Sequence, residues 1–164
     1  MIKTFKFNPE RVDYAARKVY GLIITLALII SLQAYSTSSV KIIITILGTL
    51  FVIALAETYV HYVALSVKKK GHLSREDFLH LLKEEFSVMV ASEIPVILFI
   101  LEIIGLISLS TAFLLAEILG VVALFIFGYV LGTQLEKKFI RRLCFGLISS
   151  LFGLLVISLK LFFH

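Results

Sequence analysis

Long apolar runs alternate with short polar segments along the whole chain. Five runs each approach the length of about 20 apolar residues that a helix needs to cross a bilayer, so we predict five membrane-spanning helices. One longer polar stretch predicts a short cytosolic amphipathic helix between spans two and three, over residues 74–86, which begins with Ser74 and Asp77 at the spacing of a capping box. Pro95 predicts a kinked or weakened turn in the third span. The pattern therefore predicts an all-α polytopic membrane protein, one domain over residues 1–164, with spans at 19–35, 41–67, 87–109, 112–133 and 143–163.

Composition supports this interpretation, and the charge distribution adds an orientation. The hydrophobic fraction is 60%, against about 45–50% in soluble domains. The net charge of +5 comes from basic residues beside the apolar runs, which indicates lipid contact and not nucleic-acid binding. With a cytoplasmic N-terminus, 14 of the 16 Lys and Arg residues lie inside, and only Lys41 and Lys160 lie toward the outside. The positive-inside bias therefore predicts an N-in, C-out topology.

The second span carries two ionisable residues, Glu57 and His61, on one helix face and one turn apart. Such groups inside a membrane are costly and are functional-site candidates by default. At a rise of 1.5 Å per residue, His61 and Glu93 of the third span lie at similar depths, each roughly 9 Å from the cytoplasmic side. We therefore predict that Glu57, His61 and Glu93 meet.

Two interpretations of this predicted site stay open. One imidazole with two carboxylates suits a first-row divalent metal such as Fe²⁺ or Mn²⁺, and Tyr59 and Tyr62 flank the pair as candidate hydrogen-bond donors to the ligands. Alternatively, a protonated Glu57 and a neutral His61 hydrogen-bond across helices and hold the bundle together, because burial favours the neutral forms.

A second set of polar residues is predicted near the opposite face. Glu102 and Glu117 fall about 8–9 Å below that face, with Gln33 and Lys160 at a similar height. Lys160 is expected to form a structural ion pair with Glu102 or Glu117, because an unpaired charge at this depth is costly. The alternative is that these residues line an ion path.

The segment ALAETY at residues 54–59 is followed by a basic exit, and the last two apolar runs cover residues 123–160. These two parts of the chain resemble the vacuolar iron transporter family. Tyr20-Gly21-Leu22 stands where that family carries Asp-Gly-Leu. The resemblance implies a five-span fold, a metal-facing role for Glu57 and a symmetric homodimer, for which glycines of the fourth span offer a contact face: Gly120, Gly128 and Gly132.

These observations lead to two functional hypotheses. The first is a divalent cation transporter, specific for iron- or manganese-like ions and proton-coupled, in which Glu57, His61 and Glu93 bind the cation. The second is a non-transporting membrane protein, a structural or partner subunit whose polar residues are internal hydrogen-bond contacts. No pair of nucleophile and base is visible in the sequence, so we do not predict an enzyme.

Overall fold

The protein is helical throughout residues 9–35, 38–69, 74–135 and 138–163, apart from short turns. These are the residues that the computed structural model describes, with side chains described for 15–35, 38–68, 74–135 and 138–158. The helices are α1 (Pro9–Tyr35), α2 (Ser39–Lys69), α3 (Arg75–Phe86), α4 (Glu93–Ile103), α5 (Leu109–Leu135) and α6 (Phe139–Phe163), with a 3-10 segment (Ser87–Ser92) joining α3 to α4.

Five stretches of helix are long and apolar enough to cross a membrane, which confirms the predicted number of spans. They are Ala15–Tyr35, Ser39–Lys68, Arg75–Ile103, Leu109–Leu135 and Phe139–Ser158. The sidedness of the bundle and the placement of α3 at the cytosolic surface stay predictions.

Helix α1 lies at the centre of the bundle, where it packs against the 3-10 segment, α5, α6 and α2. Its buried stripe, which includes Leu22, Leu26 and Ile29, follows the i, i+4, i+7 spacing of one helix face. Helix α2 has a similar stripe at four-residue intervals, from Ile42 to Ala54. Each stripe faces the neighbouring helices and so fixes the rotation of α1 and of α2 about its own axis.

Helix α3 begins at the predicted capping box. The Asp77 N–H donates to Ser74 Oγ at 3.1 Å, and the Ser74 N–H donates to Asp77 Oδ2 at 3.3 Å. This arrangement satisfies two N–H groups that the first turn of a helix leaves without partners.

The predicted third span, residues 87–109, is not one continuous α-helix. Its first six residues form the 3-10 segment, and α4 ends at Ile103 before a turn in which Gly105 has a φ of +78°. Pro95 lies in the first turn of α4, where its missing N–H leaves no hydrogen bond unmade. The α-helical ladder therefore breaks just before Glu93, close to where Pro95 predicts a weakened turn.

Gly21 lets the 3-10 segment pack directly on α1. A Cβ atom at Gly21 would lie 2.6 Å from Val88 Cγ2 and 2.8 Å from the Val88 carbonyl oxygen. These distances are shorter than any ordinary contact, so only glycine permits the observed approach.

The glycines of α5 are used inside the chain. A Cβ at Gly128 would lie 2.8 Å from the Phe145 carbonyl oxygen, and one at Gly132 would lie 3.0 Å from Arg142 Cα, both on α6. A Cβ at Gly120 would lie 3.0 Å from Leu26 Cδ1 of α1. The glycine face of the fourth span is thus occupied by helices of the same chain, so it gives no support for the homodimer, which stays a prediction.

Candidate functional site

A polar cleft opens between α1, α2 and α3. Its volume is about 470 Å³. The lining residues are Ala16, Arg17 and Tyr20 of α1, Glu57 and His61 of α2, and Glu85 of α3. Two acids, a guanidinium, an imidazole and a phenol thus share one accessible cavity.

Glu85 is the buried centre of this cluster, since none of its side chain is exposed. Its Oε1 forms an ion pair with Arg17 Nη1 and lies 2.9 Å from His61 Nδ1. Neither carboxylate oxygen of Glu85 has a well-formed hydrogen bond with the described part of the chain. The carboxylate therefore retains acceptor capacity beyond its ion-pair contacts.

The contacts of His61 define its tautomer. Nδ1 lies 3.1 Å from the Glu57 carbonyl oxygen and 2.9 Å from Glu85 Oε1. Both neighbours are acceptors, so Nδ1 carries the proton and donates it. In the neutral imidazole this leaves the Nε2 lone pair free, on the edge of the ring away from Glu85. Nearly half of the His61 side chain, 48%, is exposed.

Glu57 lies between two other cluster members. Its carboxyl group lies near the carboxyl group of Glu85 and the Tyr20 hydroxyl, close enough for electrostatic interaction with both. Two carboxylates at such proximity repel each other when both are charged. The pair of Glu57 and Glu85 is therefore suited to take up a proton when the cleft is empty and to release it when a cation arrives.

Glu93 does not join this site, contrary to the prediction. It is exposed at the start of α4 and does not line the cleft. The reason is position along the helix axis. His61 lies level with Glu85, whose Oε1 is 2.9 Å from His61 Nδ1. Glu93 follows Glu85 by eight residues, six of them in the 3-10 segment, which is a rise of about 15 Å. Glu85 therefore takes the position predicted for Glu93.

The two tyrosines predicted beside the site have other environments. Tyr59 is 69% exposed, because a residue two positions after Glu57 lies on the opposite side of the helix. Tyr62 packs edge-to-face on Phe78 of α3, with ring centroids 5.9 Å apart. It contacts α3 through its ring and so helps to hold the helix that carries Glu85.

The second predicted polar layer is only partly described. Glu102 is half-buried in the last turn of α4, and Glu117 is half-buried on α5. The side chain of Lys160 lies outside the described residues. The predicted ion pair of Lys160 with Glu102 or Glu117 therefore stays a prediction.

Sequence reasoning missed Arg17 and Glu85 as site residues. Glu85 follows Phe78 and Leu81 on the apolar stripe of α3 at helical spacing, and Leu81 and Glu85 are both buried. The sequence could have indicated this position, because Glu85 is a charged residue at the helical spacing of the apolar residues of α3. Arg17 precedes the predicted first span and resembles the other basic flanking residues, so the sequence does not distinguish it.

Comparison of the chain with protein-family models, curated proteins and solved structures gives no significant match. Among the described residues, no group of three His, Cys, Asp or Glu side chains is arranged to hold a metal ion. The described residues define an all-α protein with five potential membrane spans and an open polar cleft between α1, α2 and α3.

Proposed function

We propose that the protein is a membrane transporter that moves a divalent cation of the Fe²⁺ or Mn²⁺ type in exchange for protons, and that the cleft is its binding site. The observation that carries the proposal is the convergence of Glu57, His61 and Glu85 on one accessible cavity. Buried ionisable groups facing a cavity between membrane helices typically belong to ion pathways and proton relays.

The donor set suits such a cation. Two carboxylates and an imidazole are ligands that first-row divalent metals accept. His61 Nδ1 lies 2.9 Å from Glu85 Oε1, a neighbouring carboxylate of the kind that commonly orients metal-bound imidazoles, and Nε2 stays available for a ligand bond. The resemblance of residues 54–59 to the vacuolar iron transporters also favours Glu57 as a ligand.

Proton coupling follows from the same groups. A cation that binds Glu57 and Glu85 displaces a proton held by this pair, because carboxylate ligands must be deprotonated. Cation entry would thus release a proton, and cation release would allow one to return.

The experiment is cation uptake into proteoliposomes that contain a metal-sensitive dye. Glu57→Gln and His61→Ala are expected to lower Mn²⁺ uptake at least tenfold. Glu93→Gln, the same type of change at an exposed glutamate outside the cleft, is the matched control and is expected to transport like the wild type. Absence of Mn²⁺ binding and uptake by the wild-type protein would refute the proposal.

A second candidate is a non-transporting membrane protein in which this cluster holds the bundle together. The ion pair of Arg17 with the fully buried Glu85 favours it, because breaking such a pair strongly destabilises a fold. In this case Glu57→Gln lowers thermal stability in detergent, and the wild-type protein neither binds nor moves cations.

A further inference from the structure

Arg17 contacts two adjacent glutamates that differ in exposure. Nη1 forms an ion pair with Glu85, while Nη2 lies 3.7 Å from Oε2 of Glu84. Glu85 is fully buried, whereas 37% of the Glu84 side chain is exposed. The guanidinium therefore bridges an inner carboxylate in the cleft and an outer carboxylate at its margin.

The inner contact conflicts with cation binding. A divalent cation bound to Glu85 would lie beside the guanidinium of Arg17, which is always charged. Two neighbouring positive charges repel strongly in a partly desolvated site.

The outer contact offers the guanidinium another position. Glu84 precedes Glu85 on α3 and already lies near Nη2, so a small side-chain rotation transfers Arg17 from one carboxylate to the other. The guanidinium keeps an acidic partner in both positions. Its movement therefore does not require an unpaired buried charge.

We propose that Arg17 is a tethered cation that competes with the transported cation. It neutralises Glu85 when the cleft is empty and moves to Glu84 when a divalent cation binds. This inference rests on the proposed function, because it assigns the regulation of affinity at the same site.

The test is Mn²⁺ binding to detergent-purified protein by isothermal titration calorimetry. Arg17→Gln is expected to tighten binding about tenfold, because the competitor is removed. Arg17→Lys keeps the charge and is expected to bind close to the wild type. Glu84→Gln removes the outer position and is expected to weaken binding severalfold.

The double variant separates competition from simple attraction. Glu84→Gln is expected to have no further effect in the Arg17→Gln background, because no guanidinium remains to be relocated. If Glu84 merely attracts cations, it weakens binding equally in both backgrounds, and the proposal is overturned. His80→Ala is the control for the 3.4 Å contact of His80 with Glu84, and it is expected to leave binding unchanged.

Failure of this inference differs from failure of the proposed function. If the wild type binds Mn²⁺ and Arg17→Gln binds it equally or more weakly, only the competition is refuted. If the wild type binds no Mn²⁺, both proposals are refuted. Should Arg17→Gln fail to fold, Arg17→Met takes its place in the same double-variant comparison, because it also removes the guanidinium, and unchanged binding in Glu84→Gln alone would still overturn the inference.

Discussion

Gly21→Ala is expected to damage both the fold and the cleft. The new Cβ would lie 2.6 Å from Val88 Cγ2 and 2.8 Å from the Val88 carbonyl oxygen, about 0.6–0.8 Å short of ordinary contact at about 3.4 Å. The 3-10 segment must therefore move away from α1. Overpacking of this kind lowers the free energy of unfolding by roughly 1–3 kcal/mol. For a chain of this size, a loss of about 2 kcal/mol lowers the melting temperature by roughly 4–8 °C.

The displacement should also reach the site. Glu85 precedes Val88 by three residues on the same inward face, and Arg17 precedes Gly21 by four on α1. Movement of the 3-10 segment away from α1 therefore separates Glu85 from Arg17. Mn²⁺ affinity is expected to change together with stability in Gly21→Ala.

The assay is thermal stability in detergent, measured by size-exclusion chromatography after heating. Gly48→Ala is the matched control, because a Cβ there has no atom within 4 Å and alanine favours a helix by about 0.5–1 kcal/mol. Val88→Ala added to Gly21→Ala should rescue only part of the loss, because the carbonyl contact remains. A Gly21→Ala protein that melts with the wild type would refute the close approach of α1 and the 3-10 segment.

Three further substitutions test other parts of the fold by the same stability assay. Ser74→Ala removes the cap of α3 and is expected to lower the free energy of unfolding by about 1 kcal/mol. Ser74→Asn, which can also cap the helix, should be as stable as the wild type, and an equal loss of stability in both variants would argue against the cap. Gly105→Ala is expected to cost about 1 kcal/mol because of the φ of +78°, and Gly105→Asn should be milder; an equal loss would show that φ is not the cause. Gly128→Leu is expected to prevent α6 from packing on α5 and to abolish a monodisperse elution peak, because a Cβ there would already lie 2.8 Å from the Phe145 carbonyl oxygen; normal elution would contradict that packing.

The coarse fold follows from the sequence because apolar length and charged ends are local properties. Five spans and the capping box at Ser74 could be read directly from residue types and spacing. The break in the third span was only partly readable: Pro95 marked its position, but the six-residue length of the 3-10 segment depends on packing against α1.

The site was predictable to the extent that its members share one helix. Glu57 and His61 lie on a single face of α2, and the structure keeps them together in the cleft. The third acid was misassigned because depth was counted from a third span that begins at residue 87, whereas the apolar helical stretch begins at Arg75 and His61 lies level with Glu85. Arg17 depends on how α1 and α3 pack, which is tertiary information.

The central position of α1 has a consequence for the order in which the bundle is assembled. Its most apolar 18 residues are 39% buried against the other helices, whereas those of the α6 span are only 11% buried. Synthesis proceeds from the N-terminus, so this most enclosed span is made before α5 and α6, the helices that cover it. Until then, lipid must solvate the inner face of α1, which its apolar Leu and Ile side chains tolerate. The charged side chain of Arg17 is costly to place in lipid. Its acidic partners, Glu84 and Glu85 of α3, are synthesised only after α2. The first span of the nascent chain should therefore sit shallowly, with Arg17 at the headgroups, until α3 arrives.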